Sequence, residues 1–271
     1  MAVVYALISA LAFGIGDVLT RLGVRSGTPL VGALTSGIVM LFVFAIPVFF
    51  ANSITQPLWP GAGWFFAVGI LLTGPGRILY YNSVRRIGVA RATVLINVSP
   101  LVGMLSAVIF LGERPSLWII IGAFLIVGGL TGMVKDPGGI HISPRNLFWG
   151  ILPTLFFALT PLFMRIGMQS LPDPILGSFI SAMGGIVFLL AFQPTIPRDD
   201  RWKTNRKAMK IFVIAGLVHA IAFATYYGAL EQGEVSVVAP LVYLSPLLSV
   251  LIARMFLQNL EQVTWRLIAG G

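Results

Sequence analysis

The sequence predicts an all-α membrane protein, a polytopic bundle of two inverted five-helix repeats in which the tenth helix is truncated. Composition is the first observation: 57% of the residues are hydrophobic, only 10% are charged, and the mean hydropathy is +0.94. Soluble chains average about 25% charged residues. The second observation is a series of apolar windows along the whole chain. The third is repetition, because residues 80–101 and 226–247 match without a gap, each opening on Tyr-Tyr and closing on Ser-Pro-Leu.

Nine apolar windows, called spans 1 to 9 below, have about the 20 residues that a helix needs to cross roughly 30 Å of hydrocarbon. The first five cover residues 3–22, 30–50, 64–84, 90–111 and 117–134. The other four cover residues 147–168, 175–192, 211–230 and 235–257, and a tenth window begins at Val263. Residues 261–271 align with residues 113–123, so we expect the tenth helix to be cut short. The tryptophans lie near window ends, as an aromatic belt requires.

A breaker-rich segment, residues 135–146, joins the two repeats and contains Asp-Pro-Gly-Gly and Ser-Pro. We therefore expect one unit at residues 1–138 and a second at residues 139–271. Five spans is an odd number, so the second unit enters the membrane from the opposite face, and such inverted repeats are typical of transporters. A second match aligns four residues of span 1 with four of span 6: Phe13 with Phe157, Arg21 with Arg165, Gly23 with Gly167, and Ser26 with Ser170.

The net charge of +9 is concentrated at span ends and in the loop of residues 198–210. Lys and Arg are enriched on the cytoplasmic side of membrane proteins, so we expect Arg21, Arg85 and this loop to be cytoplasmic and the N-terminus to be outside. This distribution favours contact with anionic lipid headgroups and gives no reason to expect a nucleic-acid partner. We expect a multi-pass protein of a bacterial or archaeal plasma (inner) membrane.

Catalytic and metal-binding patterns are missing from the sequence. The chain has no Cys and only two His, and it contains neither His-Glu-x-x-His nor Gly-x-Ser-x-Gly nor a phosphate-binding loop. We therefore expect no enzyme activity, no catalytic residue, no cofactor and no metal site, and we exclude an ATP-driven pump within this chain.

Three polar residues inside the spans form the first site hypothesis. Asp17 is the one acidic residue within a span, and a charge in the membrane costs several kcal/mol unless it is paired or wetted. At 1.5 Å per residue, Asp17 and Arg77 lie roughly 20 Å from the same membrane edge, and Asn97 reaches a similar depth. We expect the three to meet and to contact a charged or zwitterionic substrate. The alternative is a structural ion pair that closes the bundle.

Further candidate binding residues combine an apolar surface with a hydrogen-bonding group, which suits amphipathic ligands. His219 and Asp17 are the intramembrane groups able to titrate near neutral pH, so proton coupling would have to use one of them. The alternatives are a packing role for the histidine and interfacial anchoring for the tyrosines. The remaining candidates are Thr160 and the tyrosines of spans 3, 8 and 9, namely Tyr80, Tyr81, Tyr226, Tyr227 and Tyr243.

Helix breakers within the spans are candidate hinges. Proline removes a backbone donor and glycine loosens the helix, so a kink at Gly74-Pro75-Gly76 would aim Arg77 inward. Pro100 and Pro246 occupy matched positions in spans 4 and 9, Pro240 adds a second break in span 9, and Pro161 bends span 6. The alternative is a set of passive kinks filled by neighbouring helices.

The repeated motifs resemble the EamA-type repeat of the drug/metabolite transporter superfamily. The first copy carries Ala92-Thr93-Val94-Leu95, Ser99-Pro100-Leu101, Phe110-Leu111-Gly112-Glu113-Arg114 and Gly122-Ala123. The second carries Ser245-Pro246-Leu247, Phe256-Leu257, Glu261 and Gly270, with Gln258-Asn259-Leu260 where Gly-Glu-Arg would stand. The resemblance implies ten helices in two inverted halves, a central cavity lined by helices 1, 3, 4, 6, 8 and 9, and export or exchange of small metabolites.

The function we expect is secondary transport or facilitation of small amphipathic metabolites, amino-acid or drug-like, by alternating access. The partners are a small-molecule substrate and membrane lipids, and the protein is a monomer or weak homodimer. An intramembrane enzyme acting on a lipid-linked substrate is the alternative, and a structural membrane subunit is a third possibility. We expect Arg165 to snorkel to the interface and Glu113 to cap its own turn.

Overall fold

The computed structural model describes residues 1–50, 61–73, 75–87, 89–132, 144–196 and 201–256. Regular structure in these ranges is helical, apart from turns, and no strand occurs in them. The first unit contains α1 (Ala2–Val24), α2 (Pro29–Phe50), α3 (Gly61–Thr73), α4 (Pro75–Ile87), α5 (Val89–Ile96), α6 (Ser99–Leu111) and α7 (Leu117–Gly132). The second contains α8 (Pro144–Ser170), α9 (Pro174–Phe192), α10 (Arg206–Gln232), α11 (Val235–Val242) and α12 (Ser245–Phe256).

Helix length and polarity confirm a polytopic membrane bundle. In the described ranges, seven helical segments are long and apolar enough to cross a membrane, and Gly61–Leu72 and Leu117–Gly132 are shorter apolar helices. All nine spans coincide with described helices, spans 3, 4 and 9 each being built from two consecutive ones. Large apolar side chains such as Phe42, Phe110 and Leu125 point outward, as a surface in contact with lipid requires. The tenth window, from Val263, lies outside the described residues.

Helices of one unit pack against helices of the other. Span 1 (α1) lies along span 8 (α10) of the other unit, and span 6 (α8) lies along span 3 (α3 and α4). Spans 2 and 7 (α2 and α9) pack against each other, and each also packs on the other unit, α2 on α10 and α9 on α3. The core is therefore formed between the units.

One contact of an aromatic ring with a glycine occurs twice. Phe65 of α3 lies on Gly167 of α8, and Phe212 of α10 lies on Gly23 of α1. A Cβ atom at either glycine would lie 2.3 Å from the ring. The helices can approach this closely only because both positions lack a side chain.

A serine hydrogen bond is repeated beside these rings. The Ser181 hydroxyl of α9 donates to the Phe65 carbonyl oxygen at 2.8 Å, and the Ser36 hydroxyl of α2 donates to the Phe212 carbonyl oxygen at 3.2 Å. The matched phenylalanines are 147 positions apart, whereas Tyr80 and Tyr226 are 146 apart. Span 3 therefore has one extra residue between these two points.

The stretch of span 3 with the extra residue includes the Gly74-Pro75-Gly76 segment. The structure describes α3 to Thr73 and α4 from Pro75, whereas the counterpart helix α10 is described as one helix. Pro75 has no backbone N–H, so it cannot donate a hydrogen bond to the carbonyl oxygen four residues earlier. Gly76 is buried at the start of α4, and Gly74 lies outside the described residues.

Spans 4 and 9 are interrupted at matched positions. Residues 97–98 separate α5 from α6, and residues 243–244 separate α11 from α12. Because Pro100 has no N–H to donate to the Ile96 carbonyl oxygen, the Ser99 hydroxyl donates to it instead at 2.7 Å. Pro246 occupies the same place in α12. Pro240 lies inside α11, which continues to Val242, and Pro161 lies inside the continuous α8.

Candidate functional site

A cavity of about 590 Å³ lies between the two units. Its wall is formed mostly by spans 1, 2, 3, 7 and 8, with one residue from each of spans 4 and 6. The lining residues of α1 and α2 are Phe13, Asp17, Thr20, Arg21, Val24, Pro29, Gly32, Ala33, Ser36, Gly37 and Met40. The others are Val68, Gly69, Leu72, Tyr80, Ile96, Phe157, Ser181, Ala182, Gly185, Ile186, Leu189, His219 and Phe223.

This wall differs from the one that the family resemblance implied. Spans 2 and 7 contribute many of the lining residues, and span 9 contributes none of those described. The residues that these two spans contribute are largely small, among them Gly32 and Ala33 of α2 and Ala182 and Gly185 of α9. Span 9 instead packs into the core with Val238, Ala239 and Val242.

Asp17 and His219 lie next to each other in the cavity wall. The His219 Nε2 atom lies 3.9 Å from the Asp17 Oδ1 atom, and the two side chains are 16% and 47% exposed respectively. This distance is longer than a hydrogen bond, so the Asp17 carboxylate keeps its capacity to accept bonds from a ligand. A Cβ atom at residue 16 would lie 2.6 Å from His219 Nε2, so the imidazole fits against α1 because residue 16 is glycine.

The rest of the wall is amphipathic. Phe13 and Phe223 make an edge-to-face contact with ring centroids 5.2 Å apart, and Phe157 adds a third ring. The Tyr80 hydroxyl lies 3.1 Å from the Thr93 hydroxyl. The Thr20 hydroxyl oxygen is buried and has no hydrogen-bond partner among the described residues. Apolar surface with a few polar groups is typical of a small-molecule site.

The cavity opens at one end of the bundle, the open end, which carries Arg21, Val24 and Pro29. The opposite, closed end is filled by a continuous core that includes Ala6, Met168 and Leu230 and belongs to both units. Among the described residues, the lining of the cavity therefore runs from the middle of α1 to the open end.

Polar and aromatic contacts hold helices together at the closed end. Tyr227 packs edge-to-face on Phe65 at 5.4 Å, and its hydroxyl hydrogen-bonds Ser181. The Arg165 guanidinium donates to the carbonyl oxygens of Leu230 and Glu231. The prediction that Arg165 snorkels did not include these partners, which lie within its reach at the end of α10.

Glu113 acts on the other unit. Its carboxylate oxygens accept the backbone N–H groups of Val235 and Ser236, both at 2.8 Å. These are the first residues of α11, where N–H groups have no partner inside the helix. The expectation that Glu113 caps its own turn is wrong, since it caps a helix that begins more than 120 residues later.

The model of the EamA-like transporter family matches residues 1–135 and 145–271 of this chain. The chain belongs to the EamA-like transporter family. This family is part of the drug/metabolite transporter superfamily, so the chain is a multi-pass membrane transporter. The comparisons point to a transporter rather than to an enzyme.

One curated relative of this EamA-like transporter agrees with that assignment, and one solved structure shares its fold. A Sinorhizobium sp protein described as an uncharacterized transporter in the cobO 3′ region is 24% identical over 123 residues, which is 44% of this chain and 84% of that protein. A crystal structure described only as that of a protein superimposes with a TM-score of 0.76 at 18% identity, covering 94% of this chain and 87% of the other. The second likeness shows the fold alone.

The cavity of the EamA-like transporter brings together Asp17, Tyr80 and His219 among the candidates from the sequence. The other described candidates lie outside its lining. The Thr160 hydroxyl donates within α8 to Phe156, and Asn97 is buried at the interruption of span 4. The side chains of Arg77 and Tyr81 lie outside the described residues, and so does the proposed Asp17–Arg77 pair.

The tyrosines of span 8 are buried, and Tyr243 of span 9 is half-buried. Tyr226 and Tyr227 belong to the core of the closed end. The Tyr243 hydroxyl donates to the Phe157 carbonyl oxygen at 3.1 Å, directly behind the cavity wall. Sequence reasoning reached the correct spans for these residues but could not assign the faces.

Phe13, Arg21, Ser36 and Ser181 line the cavity of this EamA-like transporter but are not among the site residues predicted from the sequence. Each of the four has a chemically similar residue near the matching position of the other repeat. This repetition is the signal in the sequence that indicates them.

Proposed function

We propose that this EamA-like transporter moves small amphipathic metabolites, amino-acid or drug-like, as a secondary transporter or facilitator by alternating access. The observation that carries the proposal is a cavity between two repeats, open at one end and blocked at the other by a core shared between the repeats. The same chain then needs a second state in which the open and closed ends are exchanged.

The repeated contacts support such an exchange. The Phe65–Gly167 and Phe212–Gly23 contacts, with their serine hydrogen bonds, lie on opposite sides of the cavity. Inverted repeats provide two nearly equivalent arrangements, because each repeat can adopt the packing that the other has now. We infer that the halves are inverted and that the structure represents one of the two arrangements.

The chemistry of the wall supports the substrate class. Cavities of about 300–1,000 Å³ are typical for small molecules, and this one falls in that range. Asp17 offers a carboxylate to an ammonium or other cationic group, Arg21 offers a guanidinium to an anionic group, and Phe13 and Phe223 contact the apolar part. The contribution of Arg77 stays a prediction from the sequence.

The orientation follows from the distribution of basic residues. Arg21, Lys203 and Arg206 lie at the open end, near the start of α2 and α10. By the positive-inside rule this end faces the cytoplasm, so the structure is inward-open and the N-terminus is outside. We place the protein in a bacterial or archaeal plasma membrane.

The test is solute counterflow in liposomes that contain the purified full-length chain, with amino acids and cationic drugs as substrates, with and without a pH gradient. We expect flux of at least one substrate and a strong reduction in Asp17→Asn. Glu234→Gln is the matched control, because this exposed carboxylate lies away from the cavity and its loss should leave flux unchanged. Flux that depends on the gradient only while Asp17 is present indicates proton antiport, and flux without a gradient indicates uniport. Equal flux in Asp17→Asn and the parent would contradict the site.

A further inference from the structure

Arg165 holds two helices together at the closed end. Its guanidinium donates to the carbonyl oxygens of Leu230 and Glu231, in the last turn of α10, which ends at Gln232. Carbonyls in the last turn of a helix lack an intrahelical partner and carry partial negative charge. The arginine therefore satisfies two unpaired acceptors and fixes α8 against the end of α10.

The repeat defines the counterpart of each partner. Arg21 matches Arg165, and each is followed two residues later by the glycine on which a phenylalanine ring lies. The ungapped match of residues 80–101 with residues 226–247 makes Val84 and Arg85 the counterparts of Leu230 and Glu231. Their carbonyl groups lie in the last turn of α4, which ends at Ile87.

The open and closed ends differ in the contact of an arginine with two carbonyl oxygens. They do not differ in the contacts of phenylalanine rings with glycines. Phe65 and Phe212 lie equally close to their glycines, so these contacts are already made at both ends. By contrast, α8 packs against α10 at the closed end, whereas α1 and α4 do not pack substantially against each other in the described part of the chain. Arg21 is exposed at the mouth of the cavity that separates them.

We propose that Arg21 closes the open end by donating to the carbonyl oxygens of Val84 and Arg85, while Arg165 releases those of Leu230 and Glu231. This inference rests on the proposed alternating access. It names the residue that allows the open and closed ends to be exchanged reversibly. A guanidinium suits the role because it stays charged and presents several donors in a fixed fork, so that one side chain reaches two neighbouring carbonyls. The ring contacts of Phe65 and Phe212 stay in place and act as pivots.

Cysteine accessibility tests the proposal, because the natural chain has no cysteine. Ala33→Cys reports on the cavity from the open end, and Ala6→Cys reports on the closed end, where Ala6 is fully buried. Each reporter is introduced alone into the full-length chain in liposomes, and the initial rate of maleimide labelling is measured.

We expect Arg21→Gln to raise labelling of the Ala33 reporter and to lower labelling of the Ala6 reporter. Arg165→Gln should do the opposite, with changes on the order of tenfold for loss of a charged hydrogen-bonding group. Arg21→Lys keeps the charge without the fork and should fall between Arg21→Gln and the parent, which also provides a variant that folds if Arg21→Gln does not. Lys207→Gln removes an exposed cation from the same end and should leave both rates unchanged.

Two outcomes separate failure of this inference from failure of the proposed function. If both reporters react in the parent but Arg21→Gln labels like Lys207→Gln, the role of Arg21 is wrong and alternating access stands. If the Ala6 reporter stays unreactive in the parent and in Arg165→Gln while the chain transports substrate, alternating access itself is wrong, and the inference falls with it.

Discussion

His219 and Asp17 meet across the boundary between the two repeats, with 3.9 Å between the His219 Nε2 and Asp17 Oδ1 atoms. The pair depends on a third residue, because Gly16 allows the imidazole to lie directly against the backbone of α1. An ionisable pair at the cavity wall, contributed by both repeats, is placed so that a relative movement of the repeats changes its separation. Functional groups inside membranes are usually found in such positions.

Gly16→Ala tests this arrangement without changing either ionisable group. The added Cβ atom would lie 2.6 Å from His219 Nε2, so the imidazole must shift from its position beside Asp17. We expect a folded protein with at least roughly threefold slower counterflow, because misplacing a binding group by about 1 Å is costly. Gly122→Ala is the control, since its Cβ atom meets nothing within 4 Å. Gly16→Ala should cause no further loss in a His219→Ala background, and an additive loss would contradict the mechanism.

Gly23→Ala and Gly167→Ala should destabilise the protein to a similar extent. Each new Cβ atom would lie 2.3 Å from the ring of Phe212 or Phe65, and such overpacking typically costs about 1–3 kcal/mol. Thermal unfolding in detergent measures the loss, with Gly129→Ala as the unhindered control. Replacing the facing ring by leucine should recover part of the loss in each case. A large effect at one glycine and none at the other would show that the two contacts are not equivalent.

Glu113→Ala should lower the free energy of unfolding by about 1–2 kcal/mol, the usual cost of losing a helix N-cap. The reason is that two N–H groups at the start of α11, those of Val235 and Ser236, lose their acceptor. Glu113→Gln keeps one acceptor oxygen, so it should lower the free energy of unfolding by about half as much as Glu113→Ala does. The control is Glu234→Ala, because Glu234 is the N-cap residue by position but makes no capping bond to the backbone. A greater loss in Glu234→Ala than in Glu113→Ala would reverse the assignment.

Ser181→Ala should cost more stability than Ser36→Ala. The Ser181 hydroxyl bonds the Phe65 carbonyl oxygen and the Tyr227 hydroxyl in a buried site, so its loss leaves a buried phenol unpaired at about 1–3 kcal/mol. Ser36 makes one longer bond, at 3.2 Å, beside the cavity. Chemical unfolding of the two alanine variants, each compared with the parent, measures the difference. Equal losses would mean that the closed end is not held more tightly than the open end.

The membrane bundle, the order of the spans, the family and the interruptions of spans 4 and 9 could all be predicted from the sequence. The physical reason is that these features are local or compositional. Apolar length is set by the thickness of the hydrocarbon region, and helix interruption is set by residues such as Pro100 and Pro246, which lack a backbone donor. A repeat can be recognised from the order of the residues alone, without knowing how the helices pack.

Which side chains meet depends on the tertiary structure. Depth along a span cannot identify the neighbour of Asp17, since every residue at that level is an equally good candidate until the rotation of each helix is known. Those rotations are set by close contacts between repeats, such as Phe65 on Gly167, and by Glu113 and Arg165, which each bind backbone groups of a distant helix. Backbone acceptors and donors have no signature in a sequence, which is why both residues were expected to act locally.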